Sequence, residues 1–202
     1  MNIIKTNNWA TNVYRIPINE YAKVTENAIL TGQYGIYISY GEGIHAYHGN
    51  QPIDYDLCDD LGVQVVELGY NGGTILGSSA DLSIIIVSPI EVGLNHETII
   101  NKYHEIISKY VPNTTIDKND ILVNGEKVCG SMERTIGVVY EWAAQVSFAD
   151  YSEYIEKICN KKQNKKPAYI DNNLLTRDKL EEEIINWLQD MEVNKWVRKL
   201  LT

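Results

Sequence analysis

Seven short apolar segments, separated by turn signals, run through the middle of the chain and constrain its fold more than any other feature. Each has the length of a strand, and they are Gly35–Tyr40, Ile44–Tyr47, Val63–Leu68, Leu82–Val87, Ile121–Val123, Lys127–Cys129 and Ile136–Tyr140. No repeat with a period of 20–50 residues relates them. The pattern therefore predicts a non-repetitive sheet and excludes solenoids and propellers.

Apolar residues at helical spacing mark four further segments, namely Tyr55–Leu61, His96–Tyr110, Tyr151–Ile158 and Lys179–Met191. Asn95 is placed to cap the second of these helices, and Pro112 follows its end. Thr176 is placed to cap the fourth. Strands and helices in this order predict an α+β fold, with a mixed, mostly antiparallel sheet and helices on one side.

The segment ILVNGEKVCGS predicts a β-hairpin, because Asn-Gly accepts positive φ at both central positions of a two-residue turn. Its turn is Asn124-Gly125, and Lys127 lies on the returning strand. The basic stretch NKKQNKKP, which contains Lys161–Lys166, has the composition of a solvated loop. We therefore expect a main domain over residues 1–160, a basic loop over 161–170 and a helical segment over 171–202 packed on the same domain.

Charge and composition exclude several classes of protein. No apolar run approaches the roughly 18 residues of a membrane span, and the N-terminal segment lacks the features of a signal peptide. Three cysteines without a C-x-x-C pair fit neither a disulfide framework nor a zinc knuckle. The net charge of −9 disfavours nucleic-acid binding. We expect a cytoplasmic protein that has no membrane or nucleic-acid partner.

The charge is unevenly distributed along the chain. Residues 1–150 carry eight basic and 18 acidic side chains, whereas residues 151–202 carry ten basic and nine acidic ones. A basic loop can attract an acidic partner by charge complementarity, and it can equally be a solvated surface. Both interpretations of Lys161–Lys166 stay open at this point.

A few residues could carry chemistry, each with a plain structural alternative. Asn71-Gly72-Gly73 could turn backbone N–H groups toward an anion, or could form a surface turn. Lys127 could neutralise a phosphate or oxyanion, or could be a solvated lysine on an edge strand. Asn119 and Asp120 could orient a substrate or a metal, or could be turn residues.

Other motifs are absent or weak. The glycines form neither a P-loop nor a dinucleotide-binding fingerprint, and no serine lies in a nucleophile elbow. Strand spacing places His45 and His48 on opposite faces, so no metal site is assigned to them. The thiols of Cys129 and Cys159 fit inert, buried roles better than reactive ones.

The order and spacing of these segments nevertheless resemble one superfamily, that of lipoate protein ligases, octanoyltransferases and biotin protein ligases. ELGYNGGTILGSSADL resembles, without a gap, the lipoate ligase loop R-R-x-S-G-G-G-x-V-x-H-D-x-G-N-L. KNDILVNGEKVCGSM resembles R-N-D-[IL]-x-V-x-G-x-K-[IV]-x-G-S, which is the most specific match. AAQVSFADY resembles H-G-T-L-L-x-x-x-D-L, and ISYGEGIHAYHGNQ resembles the strand that leads to a Gly-x-x-Gln stretch.

The resemblance implies a catalytic domain of the biotin and lipoate ligase type and roles for particular residues. Lys127 falls on the lysine that contacts the acyl carboxylate and the phosphate of its adenylate. Asn119 and Asp120 fall beside the nucleotide and magnesium, so that Mg²⁺ is expected near Asp120. Substrate binding is implied for a set of small and polar residues: Asn71, Gly72, Gly73, Thr74, Gly77, Gly130 and Ser131.

The activity implied is transfer of an acyl group through an acyl-adenylate. The substrates would be ATP with Mg²⁺ and one of lipoate, octanoate or biotin. The acceptor would be a lysine on a lipoyl-type or biotinyl-type domain. Attack of a carboxylate on a phosphate requires positive charge where negative charge gathers, and Lys127 is of the right type for this.

The sequence also departs from the lipoate ligase pattern. Glu67 and Leu68 stand at the Arg-Arg pair, Gly77 stands at the His, and Ala143-Ala144 replaces His-Gly. Two alternatives to adenylation therefore stay open. One is a homologue that binds an acyl ligand without turnover. The other is octanoyltransferase-type thioester transfer through Cys159, although the Pro-Cys-Gly around that nucleophile is absent and the sequence reads KICNK.

Overall fold

The structure is a computed structural model that describes residues 9–49, 51–68, 73–159 and 165–200, with side chains in the last helix as far as Met191. The strands in these ranges are β1 (Val13–Pro17), β2 (Gly35–Tyr40), β3 (Ile44–His48), β4 (Val63–Glu67), β5 (Thr74–Gly77), β6 (Leu82–Pro89), β7 (Thr114–Asp117), β8 (Asp120–Val123), β9 (Glu126–Ile136) and β10 (Val139–Val146). The α-helices are α1 (Val24–Thr31), α2 (Tyr55–Asp60), α3 (His96–Ser108), α4 (Ser152–Ile158) and α5 (Arg177–Leu200). Short 3₁₀ turns lie at Trp9–Thr11, Ile18–Lys23 and Ile90–Val92.

The strands form two sheets. The larger has seven strands in the order β1-β2-β6-β10-β9-β8-β7, and the smaller has three in the order β4-β3-β5. Two strand pairs, β1 with β2 and β3 with β4, are parallel, and the other pairs in these sheets are antiparallel. The predicted α+β class with a mostly antiparallel sheet is confirmed.

Side chains on β6 alternate between the two faces of the larger sheet, as the two-residue period of a strand requires. Ile84 and Ile86 face the core formed with α3 and α5. Ile85 and Val87 face the opposite core, which α1 and the smaller sheet help to form. β6 is buried along its whole length, because both faces of the sheet are covered.

Helix α3 forms as its sequence predicts. The Asn95 side chain accepts a hydrogen bond from the Thr98 backbone N–H at 2.9 Å and so caps the first turn. Five of its side chains are buried against the larger sheet: Ile99, Ile100, Tyr103, Ile106 and Ile107. Helix α5 packs on the same side through Leu180, Ile184 and Leu188. No helix in the described part of the chain is both long and apolar enough to cross a membrane.

The turn between β8 and β9 also forms as predicted, with φ of 53° at Asn124 and 82° at Gly125. Beyond it the prediction differs from the structure. Lys127–Cys129 is the start of an 11-residue strand rather than a short one. Ile136–Tyr140 is wrong as a single strand, because Gly137 adopts a φ of 60° and the chain turns back there.

Four short elements were absent from the prediction: β1, α1, β5 and β7. The smaller sheet consequently went unrecognised as a separate unit. Its position matters for function, because β5 faces β9 and β10 across a narrow space between the two sheets, where Leu76 and Gln145 line the same pocket.

Candidate functional site

A pocket opens between β5 of the smaller sheet, β9 and β10 of the larger one, helix α4 and the segment 165–168. Its walls combine apolar, polar and cationic side chains: Thr74, Ile75, Leu76, Lys127, Val128, Cys129, Gly130, Gln145, Ser147, Tyr151, Ile155, Lys165, Pro167 and Ala168. The empty space of the pocket, including its open mouth, is about 480 Å³. The pocket is narrow, and its mixed lining suits a ligand with both apolar and charged parts.

The segment 165–168 reaches the pocket because it pairs with β9. The Lys127 backbone N–H donates to the Lys166 carbonyl at 2.8 Å, and the Ala168 N–H donates to the Lys127 carbonyl at 2.8 Å. The pairing runs parallel and is centred on Lys127 and Pro167. At Lys127, β9 is therefore hydrogen-bonded to the segment 165–168 and is not an edge strand. The interpretation of Lys127 as a solvated lysine on an edge strand is wrong.

Two ammonium groups share one carboxylate at the mouth of the pocket. Lys127 Nζ lies 2.8 Å from Asp120 Oδ1, and Lys165 Nζ lies 2.6 Å from Asp120 Oδ2. Lys165 also lies 2.9 Å from Oδ2 of Asp117. The three side chains of the Lys127–Asp120–Lys165 group are between 16% and 28% exposed, so solvent reaches them without fully screening them.

These ion pairs shift the ionisation of their members. Burial opposes the charge of Lys165, but Asp120 and Asp117 outweigh it, and the pKa of Lys165 is raised. The hydrogen bond from Lys165 lowers the pKa of Asp117. Lys165 is therefore fixed and charged at neutral pH. Of the two interpretations of the basic loop, a solvated side chain does not describe Lys165, which is 21% exposed and paired with two carboxylates.

Gly130 leaves room for the Lys127 side chain. A β-carbon at Gly130 would lie 2.8 Å from both Cε and Nζ of Lys127, and it would also meet the Ile75 side chain. A side chain at this position would require the end of the Lys127 side chain and the Ile75 side chain to shift. Gly130 thus matters for close packing rather than for an unusual backbone conformation.

A chain of buried hydroxyl groups ends at Gln145, on the buried side of the pocket. Ser83 Oγ donates to Gln145 Oε1, and Tyr47 Oη lies 2.6 Å from Ser83 Oγ. Burial raises the pKa of Tyr47 to about 12, so its hydroxyl is protonated and can donate to Ser83. Gln145 Nε2 is buried and has no hydrogen-bond partner among the described residues.

Asp81 holds together the turn after β5 and the start of α4. It accepts hydrogen bonds from the backbone N–H groups of Ser78 at 2.7 Å and Phe148 at 2.6 Å, and from the Tyr151 hydroxyl. Burial raises the pKa of Asp81 despite these donors. The network fixes Tyr151, which lines the pocket.

The structure brings some of the predicted site residues together. Lys127, Thr74 and Gly130 all line the pocket. Gly73 directly precedes Thr74 in the chain, and the Thr74 N–H donates to the Gln51 side chain at 3.3 Å. Gly77 ends the same strand and packs against the Gln145 side chain. Asp120 lies beside the pocket, where it pairs with Lys127 and Lys165, two residues of the pocket lining.

Other predicted residues lie elsewhere. Ser131 donates from its N–H and its hydroxyl to the Asn119 carbonyl, each at 2.8 Å, and neither residue lines the pocket. Asn71, Gly72, Lys161 and Lys162 lie outside the described residues.

The two cysteines singled out from the sequence are both buried. Cys129 lines the pocket, and complete burial raises its pKa to about 12, which leaves the thiol protonated. Cys159 follows α4 and is buried in one cluster with Leu76, Tyr151 and Ile155, which themselves line the pocket. It is not among the residues that line the pocket.

The residues near Asp120 do not form a magnesium site by themselves. No group of three or more His, Cys, Asp or Glu residues in the described ranges could hold a metal ion. The two carboxylates that converge here, Asp117 and Asp120, are bridged by the Lys165 ammonium, which stands where a cation between them would lie. The expectation of Mg²⁺ near Asp120 therefore gains no support from the protein ligands present.

Sequence patterns did not identify Lys165 and Gln145 as pocket residues. The position of Lys165 depends on the pairing of its segment with β9, nearly 40 residues earlier. Gln145 carried one usable signal, since it is a polar residue in the otherwise apolar run WAAQV, on a strand that is buried along its length.

Comparison with known proteins adds evidence on the fold. No protein-family model and no curated protein sequence matches the chain. Solved structures do match. A bipartite lipoate protein ligase from Thermoplasma acidophilum, studied with its E2 lipoyl domain, superposes with a TM-score of 0.71 at 11% identity, covering 89% of this chain and 82% of that one.

Two further structures have the same architecture. A lipoate-protein ligase A bound with ATP gives a TM-score of 0.68 at 13% identity, over 89% of this chain and 84% of the other. A biotin protein ligase from Leishmania major in complex with biotin gives 0.58 at 12% identity, over 89% and 73%. The chain therefore has the fold of the lipoate and biotin protein ligases, as the resemblance of its motifs predicts.

Proposed function

We propose that this protein binds the carboxylate of an acyl substrate at the Lys127–Asp120–Lys165 group and activates it as an acyl-adenylate. The observation that carries the proposal is the pair of ammonium groups, Lys127 and Lys165, held on one carboxylate at the mouth of a partly apolar pocket. Two cations close together suit an anion that gains charge during reaction. The pocket walls formed by Ile75, Leu76 and Val128 suit the apolar part of the acyl group.

The reaction proceeds in two steps. A carboxylate oxygen of the acid attacks the α-phosphorus of ATP, a new P–O bond forms, and the bond to the β-phosphate breaks to release pyrophosphate. The neutral amine of an acceptor lysine then attacks the acyl carbon and forms a C–N bond, the acyl C–O bond to AMP breaks, and the nitrogen releases one proton to solvent. Lys127 and Lys165 orient the carboxylate and neutralise the charge that collects on the phosphate oxygens.

Lys165 supplies positive charge that the arginine pair of the lipoate ligase pattern would otherwise provide. Glu67, at the first arginine position, accepts a hydrogen bond from the Tyr55 hydroxyl at 3.1 Å and offers no cation there. Lys165 reaches the pocket from a different part of the chain and adds a positive charge to that of Lys127. The charge at the mouth is thus supplied by lysines, which bind phosphate as point charges rather than by bidentate contact.

The acceptor in this proposal is a lysine on a lipoyl-type or biotinyl-type domain. The support is indirect and comes from the structural neighbour that was studied with its E2 lipoyl domain. The acyl group would be lipoate, octanoate or biotin, since neighbours with this fold were solved with lipoate and with biotin.

The test is pyrophosphate exchange into ATP with octanoate, lipoate and biotin offered separately. We expect exchange with one acid, strongly reduced in Lys127→Ala and in Lys165→Ala. Lys102→Ala is the matched control, because Lys102 pairs with Glu105 on α3, away from the pocket, and should exchange like the wild type. Exchange that persists in both pocket variants would contradict the proposed roles of the two lysines.

Two other functions remain as outcomes of the same experiment. Absence of exchange together with binding of an acid that depends on Lys127 would indicate a binding protein without turnover. An acyl adduct on Cys159, detected by intact-mass analysis after incubation with acyl carrier thioester, would indicate thioester transfer. The burial of Cys159 outside the pocket lining favours neither adduct formation nor access by a carrier.

A further inference from the structure

The buried side of the pocket contains a hydrogen-bond donor without an acceptor. Gln145 is 4% exposed, lines the pocket, and its Nε2 has no partner among the described residues. A buried amide nitrogen usually finds a partner, because leaving it unpaired costs free energy. Within this pocket, an unpaired donor points to a ligand that supplies the acceptor.

The orientation of the amide is fixed by its other end. Gln145 Oε1 accepts the hydrogen bond from Ser83 Oγ, which leaves Nε2 on the opposite side. Ser83 has one proton to give, so the Tyr47 hydroxyl, 2.6 Å away, donates to Ser83 in turn. Burial raises the Tyr47 pKa to about 12, so its hydroxyl keeps the proton that it donates at neutral pH. The amide nitrogen therefore lies on the side away from Ser83, next to Gly77 at the end of β5.

The neighbouring strand leaves room for this amide. A β-carbon at Gly77 would lie 2.8 Å from Gln145 Cδ, so the side chain of Gln145 occupies the volume that any larger residue at 77 would need. Lys127 stands at the mouth with 28% of its side chain exposed, whereas Gln145 is almost fully enclosed. The pocket thus has a cationic mouth and a neutral donor on its buried side.

From this arrangement we infer that Gln145 is a specificity-determining residue, which selects an acid whose buried end carries a carbonyl oxygen or an equivalent hydrogen-bond acceptor. The inference rests on the proposed function, because Lys127 and Lys165 must hold the carboxylate at the mouth. An unbranched alkyl chain would bury Nε2 without satisfying it. Among the three acids considered, only biotin carries a carbonyl oxygen at the end remote from the carboxylate.

The test compares two probes that differ at one position, octanoate and 7-oxooctanoate, by titration calorimetry on the full chain. The wild type should bind the oxo acid more tightly by about tenfold, as one added hydrogen bond allows. In Gln145→Leu this preference should disappear, with octanoate binding at least as well as the oxo acid. Gln33→Leu, at an exposed position, should keep the preference of the wild type.

Two further variants distinguish the loss of the hydrogen bond from a folding defect in Gln145→Leu. Gln145→Met keeps a long flexible side chain without a donor and should lose the preference as Gln145→Leu does. Ser83→Ala retains Gln145 but releases its Oε1, and it should reduce the preference without abolishing acid binding. A wild-type protein that binds both acids equally would overturn the inference, since a bound water would then satisfy Nε2.

The outcomes separate the inference from the proposed function. If both acids bind equally and Lys127→Ala abolishes binding of both, the result supports the carboxylate site and contradicts the proposed role of Gln145. If neither acid nor biotin binds to the wild type, the proposed function falls and the inference falls with it.

Discussion

The side chain of Gln145 occupies the space that a side chain at position 77 would fill. A β-carbon at Gly77 would lie 2.8 Å from Gln145 Cδ, and nearer still to Nε2. The absence of a side chain at Gly77 therefore makes room for Gln145 across the gap between the two sheets.

This relationship predicts a coupled effect on stability. Gly77→Ala should lower the free energy of unfolding by about 1–2 kcal/mol, because the buried Gln145 side chain must shift and its bond to Ser83 weakens. In a protein that also carries Gln145→Ser, Gly77→Ala should lower the free energy of unfolding much less. Urea unfolding of the two single variants and the double variant measures the coupling. Additive effects would show that the two side chains do not compete for space.

Removal of the Asp120 carboxylate should destabilise the protein, because two partly buried ammonium groups would lose their shared partner. For Asp120→Ala we expect a loss of about 1–2 kcal/mol in the free energy of unfolding. Asp178→Ala is the control: Asp178 pairs with Arg177, but its side chain is 88% exposed, so its removal should change little. Equal effects of the two substitutions would mean that the pocket ion pairs contribute no more than a surface pair.

Stability should fall as the pH is lowered below about 6.5 because of His45. Burial lowers the pKa of this histidine below its ordinary value of 6.5 in the folded protein. The unfolded chain therefore takes up a proton at a pH where the folded one does not, and the free energy of unfolding decreases until the folded pKa is reached. Melting temperatures between pH 8 and pH 5 should fall less steeply for His45→Gln than for the wild type. Parallel curves would contradict the assignment.

Local signals predicted the parts of the fold that depend on few residues. The Asn95 cap and the Asn124-Gly125 turn follow from side-chain capping and from positive φ, which act within three or four residues. The strand β2 was predicted with its observed bounds, because Gly35–Tyr40 is apolar and is bounded by turn residues.

The pocket could be predicted only in part, because its residues are joined by long-range pairing. Lys127 and Gly130 lie in one motif and were found through the resemblance. For Lys165 the sequence leaves a docking surface and a solvated loop open, since nothing near it in sequence shows that its segment pairs with β9. Gln145 gains its role from the approach of β5, a strand of only four residues that was not predicted. Local patterns carry no information on such pairings.

The thiol of Cys129 should be unreactive in the native protein although it lines the pocket. With a pKa raised to about 12 by burial, roughly one thiol in ten thousand is ionised at pH 8. Iodoacetamide at that pH should leave Cys129 unmodified in the native protein and should label it in urea, as followed by peptide mass analysis. Rapid native labelling would show that the pocket opens further than the structure indicates.

The turn between β8 and β9 determines how Asp120 and Lys127 come together, and this gives a last prediction. Gly125 has a φ of 82°, which strains any residue that carries a β-carbon, and the turn fixes the register in which Val123 pairs with Glu126 and Leu122 with Lys127. An irregularity between Ile121 and Leu122 then shifts the register, so that Asp120 pairs with Gly130. Gly125→Ala should lower the free energy of unfolding by about 1 kcal/mol. Asn124→Gly changes the other central residue to one that accepts positive φ freely, so it should lower the free energy of unfolding less than Gly125→Ala does. Because the alanine does not touch the pocket, acid binding measured well below the melting temperature should be retained in both variants. Loss of binding in Gly125→Ala with stability unchanged would mean that the turn controls the site through register rather than through folding.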